Sequence, residues 1–380
     1  MKKISSFILC ILFVLDMFNA PTACYGMEEP QDIELQRKIG QLLIVGFQGT
    51  LPEDEGPTKI CRLLKEEKLG GVILYRYNIV DPNQLLRLTQ SFYDANPKAF
   101  IAVDQEGGQV QRLTSQKGFN ITTPSAQKVA EQCSEYEQSR VIYNLMAQEL
   151  ANYRINVNFG PVVDLNNPEH PSPAIGKYER SYSNNPDVVT NFARIFIEEH
   201  RMLKILTSPK HWPGHGYSTA DSHQGLTDTT KTAVPERELL PYTNLISSGH
   251  VDMLMTAHVV NTNYDPEGYP ATLSPKTLKN LLRSLGYNGV VISDDLHMGA
   301  IQQHYPFETA IMLAVNATCD MLIFSNNAAA AQGISDFKPD ASLAEKVIDT
   351  IYKKITLGQI TLERIEESYQ RVTLLKNRLS

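Results

Sequence analysis

The stretch KHWPGHGYSTADSH, residues 210 to 223, sets three histidines, a lysine and an aspartate around a Pro-Gly pair. Such groups do chemistry as metal ligands or as proton carriers, and they also occur in plain polar turns. As a metal site, His211, His215 and His223 are loosely spaced, no H-E-x-x-H helix is present, and Pro213 with Gly214 forbids a regular helix that would align the rings. A surface turn has no need of Lys210, His211 and Trp212 directly after an apolar run. The reading favoured is a catalytic loop in which Asp221 and His223, two residues apart, hold each other through a carboxylate-imidazole hydrogen bond. Such a pair orients the ring and tunes a proton donor near neutral pH.

A catalytic loop needs a scaffold to aim it. Eight short apolar, β-branched runs recur at 41–47, 71–76, 99–104, 155–165, 205–211, 251–258, 289–296 and 319–326. Their hydrophobicity is continuous rather than alternating, as in strands of a parallel sheet covered on both faces. Between them lie segments of helical periodicity, among them DPNQLLRLTQSFYDAN, VPERELLPYTNLISSG and LSPKTLKNLLRSLGY, the last opening with Ser274 as N-cap and Pro275 at the first helical position. Eight strand-helix units predict an α/β fold, a (β/α)8 TIM-type barrel, in preference to a doubly wound sheet. No glycine-rich dinucleotide or P-loop fingerprint follows any run.

In such a barrel functional groups collect where strands end. The third run ends in VDQEGGQVQR, the fourth in GPVVDLN, the fifth in the stretch quoted above, the sixth in TAH, the seventh in SDDLHM and the eighth in SNN. Each supplies Asp, His, Lys, Arg or Asn to one rim.

With 380 residues, 42% hydrophobic and 20% charged, the chain has enough apolar content for a large core. A net charge of −7 and the lack of any basic block argue against nucleic acid as a partner. Lys2 and Lys3, the apolar run FILCILFVL and small residues up to Gly26 read as a secretory signal peptide. The expected organisation is therefore a signal peptide over 1–26 and a single catalytic barrel domain over 27–380. The protein is expected to be exported, periplasmic or extracellular, with no stable membrane partner beyond an uncleaved signal anchor. Cys24 follows PTA, where a lipobox would want an aliphatic residue, so lipidation there is not expected. Cys61, Cys133 and Cys319 are far apart, odd in number and without CxxC spacing, and read as buried free thiols.

KHWPGHG followed by ADSH, together with DQEGGQVQR and SDDLHM, resembles the family 3 glycoside hydrolases, specifically the single-domain bacterial β-N-acetylglucosaminidase (β-N-acetylhexosaminidase) branch involved in peptidoglycan recycling. The resemblance spans residues 35–375. It implies a nucleophile at Asp294; neighbouring strand residues point to opposite faces, which leaves Asp295 to structural hydrogen bonds. It also implies a general acid/base at His223 with Asp221 as partner, and substrate hydroxyl and acetamido contacts at Asp104, Arg112, Arg180, Lys210 and His211. Beside these, Asp164 reads as structural, His215 as a brace of the loop, and His258 as either pocket floor or satisfied core residue.

The activity so implied is retaining, exo-acting removal of terminal N-acetylglucosamine from peptidoglycan-derived or related glycosides, muropeptides among them. It runs through a covalent glycosyl-enzyme and needs no metal and no organic cofactor. Two features depart from the family pattern. Gram-negative members are usually cytoplasmic, whereas this chain begins with an export signal, and Trp212 stands where Phe is common, a change expected to keep an aromatic wall. A family 3 β-glucosidase or a β-N-acetylglucosaminide phosphorylase shares the nucleophile and fold and is the alternative. An inactive cell-wall glycan-binding protein is more remote, because Asp221, His223 and Asp294 are all present.

Overall fold

The strands are short runs of branched and aliphatic side chains in a computed structural model that describes residues 30–331 and 337–379. They are β1 (Leu43–Val45), β2 (Gly71–Leu74), β3 (Phe100–Val103), β4 (Val157–Asn158), β5 (Leu206–Thr207), β6 (Thr227–Asp228), β7 (Met253–Met255), β8 (Val259–Val260), β9 (Val290–Asp295) and β10 (Met321–Phe324). The expected signal peptide and Cys24 lie outside the described residues. Eight strands form one sheet in the order β5-β4-β3-β2-β1-β10-β9-β7, with every pair parallel. β6 and β8 make a separate two-stranded ribbon at the rim. Nearly all side chains of the eight sheet strands are buried, as a sheet covered by helices requires.

The two sheet edges meet. Trp212 donates its backbone N–H to Met255 O (2.9 Å), Met255 donates to Pro209 O (3.1 Å), and Ala257 donates to Trp212 O (2.7 Å). These bonds and the parallel bridge between Trp212 and Thr256 close the sheet into the (β/α)8 barrel that the eight apolar runs predict.

The ladders of β4 and β5 are shorter than their apolar runs at 155–165 and 205–211. Pro161 and Pro209 have no N–H to give a neighbour, so beyond them pairing continues as the single bridge between Val162 and Lys210 and as the seam with β7. Gly71 serves close strand approach: a Cβ there would lie 2.4 Å from Phe100 O.

The helices follow their sequence signals with two differences. Asp81 caps the helix Pro82–Ala95 by accepting from Gln84 N (2.9 Å). VPERELLPYTNLISSG forms two pieces, Pro235–Glu238 and Leu240–Ser247, with Pro241 near the start of the second. Ser274 accepts from Thr277 N (3.0 Å) as expected of a cap, but the turn it opens, Lys276–Leu282, is a π-helix.

At the opposite end of the barrel, buried Asp320 pairs with Arg283 (2.9 Å), Arg371 (3.0 Å) and Arg364, which ties the last helix, Leu362–Lys376, to the foot of β10. All three described cysteines are free. Cys319 is buried, but Cys61 and Cys133, on helical surfaces, are only half-buried, which corrects the expectation of three buried thiols. Among the described residues no helix is long and apolar enough to cross a membrane.

Candidate active site

The C-terminal ends of β2, β3, β5, β7 and β9 open onto one cavity of about 200 Å³. Asp104 and Glu106 follow β3, Lys210 and His211 follow β5, and Asp294 and Asp295 end β9. Arg112 and Arg180 reach in from the loops after β3 and β4, and His223 from the long loop after β5. All eight residues expected at the site thus lie around this cavity; seven line it, and Asp221 stands behind His223.

One wall is an ion network. Lys210 Nζ donates to Asp104 Oδ1 (2.9 Å) and lies 2.7 Å from Glu106 Oε1, while Arg112 donates to Asp104 Oδ2 (3.1 Å). Arg180 grips Glu106 with two bonds of 2.8 Å. Charges this deeply buried persist only when each has opposite partners and its hydrogen bonds filled. Burial alone would raise the Asp104 and Glu106 carboxyls, but the neighbouring cations outweigh it and hold both below the usual carboxylate range. Burial likewise works against the Lys210 ammonium, and the two carboxylates reverse it and hold its pKa up. Asp104 remains 18% exposed at its side chain, so it can still accept from a ligand hydroxyl.

Asp164 orients the start of the catalytic loop. Its carboxylate accepts from the His211 ring Nδ1–H (2.7 Å), the His211 backbone N–H and the His215 backbone N–H (2.8 Å). That fixes the His211 tautomer, and Nε2 is left to face Arg180 Nη2 at 3.4 Å. Gly216 then passes so close to Leu165 that a Cβ would sit 1.7 Å from its carbonyl oxygen.

His215 braces the loop from inside. Ser218 donates its hydroxyl to His215 O (2.8 Å), so it accepts from the ring Nδ1–H (2.7 Å), and Nε2 accepts from Ser222 (3.0 Å). Burial first and the neighbouring His211 second push His215 down to about 4, which keeps it neutral in this role.

Ser222 is followed by His223, whose ring Nδ1–H donates to Asp221 Oδ1 (2.9 Å); the same oxygen accepts from the His223 backbone N–H (3.0 Å). Burial disfavours the imidazolium, but the Asp221 hydrogen bond and the charges of Asp221 and Asp294 outweigh it, so the His223 pKa is raised. For Asp221, burial raises and the His223 contacts lower, for a net pKa of about 2. With Nδ1 engaged, Nε2 is the ring atom free to exchange a proton with a ligand.

Asp294 and Asp295 both border the cavity at the end of β9 but differ in their hydrogen-bond partners. Asp295 Oδ1 accepts from His297 N (3.0 Å) and Ser325 N (2.8 Å), a structural role. Asp294 Oδ1 accepts from Asp295 N (2.8 Å), and the residue lines the cavity. Burial raises the Asp294 pKa, but the imidazoles of His258, His211 and His223 more than offset it, and Asp294 stays ionised below its usual range.

One sequence expectation changes, and one open alternative is decided. Trp212 is not a pocket wall: it is fully buried, stacks edge-on against Tyr242 and donates its indole N–H to Thr277 O. His258 is a satisfied core residue, with Nδ1 on Thr272 and Nε2 donating to Asp295 O. His215 is the brace the sequence suggests; Glu106 and the two serines that hold the brace, Ser218 and Ser222, are the site features the sequence reading passes over. Among the described residues no group of three or more His, Cys, Asp or Glu side chains could hold a metal ion.

Comparison with known proteins places this geometry. A family model described as the glycosyl hydrolase family 3 N terminal domain matches residues 34–375. A protein named beta-hexosaminidase from Actinobacillus pleuropneumoniae serotype 5b is 34% identical over 329 residues, 83% of this chain and 92% of that protein. One of the same name from Tolumonas auensis is 37% identical over 305 residues, 76% of this chain and 85% of that protein. Among solved structures, a glycoside hydrolase family 3 beta-N-acetylglucosaminidase from Paenibacillus sp. superposes with a TM-score of 0.79 at 30% identity; the match covers 91% of this chain and 62% of that one.

Proposed function

Because the chain belongs to glycosyl hydrolase family 3 and is a glycoside hydrolase, we propose that the cavity at the barrel mouth is the sugar site of a retaining exo-β-N-acetylglucosaminidase. The observation that carries the reading is the hydrogen-bonded Asp221–His223 pair and the ionised Asp294 served by one cavity. The names of the Actinobacillus, Tolumonas and Paenibacillus relatives support the sugar.

In the first step Asp294 Oδ2 bonds to the anomeric carbon as the carbon–oxygen bond to the leaving group breaks. The leaving oxygen takes the Nε2 proton of His223. In the second step His223 removes a proton from water, the water oxygen bonds to the anomeric carbon, and Asp294 is released. Two displacements on one carbon retain its configuration. A carboxylate held low and an imidazole held high are in their reactive forms over the same pH range. Asp221 offsets the imidazolium charge in the first step, and Asp104 and Arg112 receive the sugar hydroxyls.

The N-terminal segment supports export, and outside the cytoplasm the glycans such an enzyme meets include peptidoglycan-derived fragments. A panel of nitrophenyl β-glycosides with the purified protein tests the activity: turnover of the N-acetylglucosaminide supports it, and turnover of the glucoside alone overturns it. Products made in the presence of phosphate test hydrolysis, which N-acetylglucosamine 1-phosphate as the dominant product would overturn.

A further inference from the structure

The floor of the barrel, at the end opposite the sugar cavity, holds a buried ammonium. Lys376 ends the last helix, and its side chain lies against the starts of β2 and β3. Its Nζ donates to Gln41 Oε1 (2.6 Å) and Gly70 O (3.0 Å) and sits 4.9 Å from the centre of the Phe100 ring. Gln41 is turned to serve it: its Nε2 donates to Glu67 O (2.7 Å) and Leu69 O (3.1 Å), which leaves Oε1 for the ammonium. An ammonium has three donors. Two neutral oxygens fill two of them, and neither supplies a negative charge.

Other buried cations of this protein are answered by carboxylates, Lys210 by Asp104 and Glu106 and Arg364 by Asp320. Lys376 forms no ion pair among the described residues. Burial pushes its pKa down to about 7, Lys98 adds to that, and the charge of Glu67 offsets only part of it.

Lys376 lines a cavity of about 200 Å³ together with two more cations, Arg37 of the helix Pro30–Gly40 and Lys98 of the turn before β3. Both are exposed, and neither is in an ion pair among the described residues. The carboxylates of the lining, Glu34 and Glu67, are also exposed and form no ion pair with any of the three. Positive charge therefore exceeds negative around the cavity, and its innermost member is positive.

We infer that this cavity binds a small free oxyanion of the phosphate and sulfate class, held by Lys376 from within and by Arg37 and Lys98 at the opening. A tetrahedral oxyanion offers separate oxygens to nitrogens that arrive from three elements, and guanidinium and ammonium groups are its natural donors. Bound there, it ties the last helix to the first and to the turn that enters β3.

The test follows the melting temperature of the protein in sodium chloride and in sodium phosphate of equal ionic strength, at a pH below 7 where the ammonium is charged. Phosphate at about 50 mM raises the wild type by ~3 °C over chloride, as a millimolar site in a domain of this size would. Sulfate does the same. Lys376→Met keeps the stem and removes the charge; it melts above the wild type in chloride and loses the phosphate increment. Arg37→Gln and Lys98→Gln, at exposed positions, each raise the phosphate concentration for half the increment ~3-fold. No increment in the wild type overturns the site. An increment of wild-type size and midpoint in both Lys376→Met and the double variant Arg37→Gln/Lys98→Gln also overturns it, because the anion then acts in the sugar cavity or through bulk water. If Lys376→Met does not fold, the exposed double variant decides alone.

Discussion

Asp221→Asn isolates what the carboxylate does for the imidazole. Burial works against the Asp221 carboxylate, but the hydrogen bonds and charge of His223, with a smaller part from His215, outweigh it and take its pKa from 3.8 to about 2; at about 1.4 kcal/mol per pH unit that net shift favours the ionised carboxylate by ~2.5 kcal/mol. The side chain of Asp221 is 18% exposed and that of His223 is 43% exposed, so solvent screening removes about half, leaving ~1–1.5 kcal/mol. The part of it that is coupling to the imidazole also raises the His223 pKa, because coupling between two sites is reciprocal. Removing it moves the basic limb of the kcat/KM profile to lower pH. Asparagine offers the ring either an oxygen or an N–H, so the neutral tautomer also ceases to be fixed. Chitobiose, whose leaving oxygen needs a full proton, loses ~10–100-fold at neutral pH, and a 4-nitrophenyl glycoside loses much less. The assay is kcat/KM against pH for both substrates. A basic limb that does not move, or equal losses on the two substrates, refutes the reasoning and makes Asp221 a loop anchor.

Asp294→Ala removes the attacking oxygen and is expected to cut turnover by several orders of magnitude with an unchanged melting temperature; a dead Asp295→Ala beside an active Asp294→Ala would reverse the assignment of the two carboxylates. Glu106→Gln strips the buried Lys210 and Arg180 of a shared counter-charge, for an expected loss of ~3 kcal/mol of stability by denaturant titration together with a higher KM. Glu238 is buried, and its pKa is pushed up to about 7 by that burial against a bond from Val234 N. Between 4.5 and 7 the folded chain keeps a proton that the unfolded chain gives up, so the stability from the protonated form is complete below 4.5 and lost as pH rises through 7. Glu238→Gln is expected to flatten that slope and to gain ~2–3 kcal/mol on wild type between pH 5 and pH 8; calorimetry showing the same slope in both proteins would refute it.

The barrel and the mouth of the site are legible in the sequence because both follow from local rules. Continuous apolar runs give parallel strands, and polar residues after them fall on one rim, which is how Asp104, Lys210, His211 and Asp294 come to share a cavity. What is not legible is pairing at long range. Glu106 lies two residues after Asp104 in plain view, but its partner Arg180 is 74 positions away, and no periodicity links them. Lys210 and Arg180 read as hydroxyl-binding cations, yet their charges are turned on protein carboxylates. Trp212 misleads because an aromatic beside catalytic residues suggests a wall, whereas its backbone is the bridge to Thr256 and its ring points into the core. Strand lengths are overstated where Pro161 and Pro209 remove ladder donors that hydrophobicity does not register.

The seam that joins β5 to β7 runs through the backbone of Pro209 to Trp212, the same peptides that carry Lys210 and His211. On the proposed function, a sugar bound in the cavity those residues line bears on both margins of the sheet. By mass action a ligand at one hundred times its Kd adds ~2.7 kcal/mol to the folded state, and here that increment falls beside the seam that closes the cylinder. If the proposed function holds, the protein engaged with its glycan is the more tightly fastened cylinder, and substrate concentration becomes part of what keeps it whole.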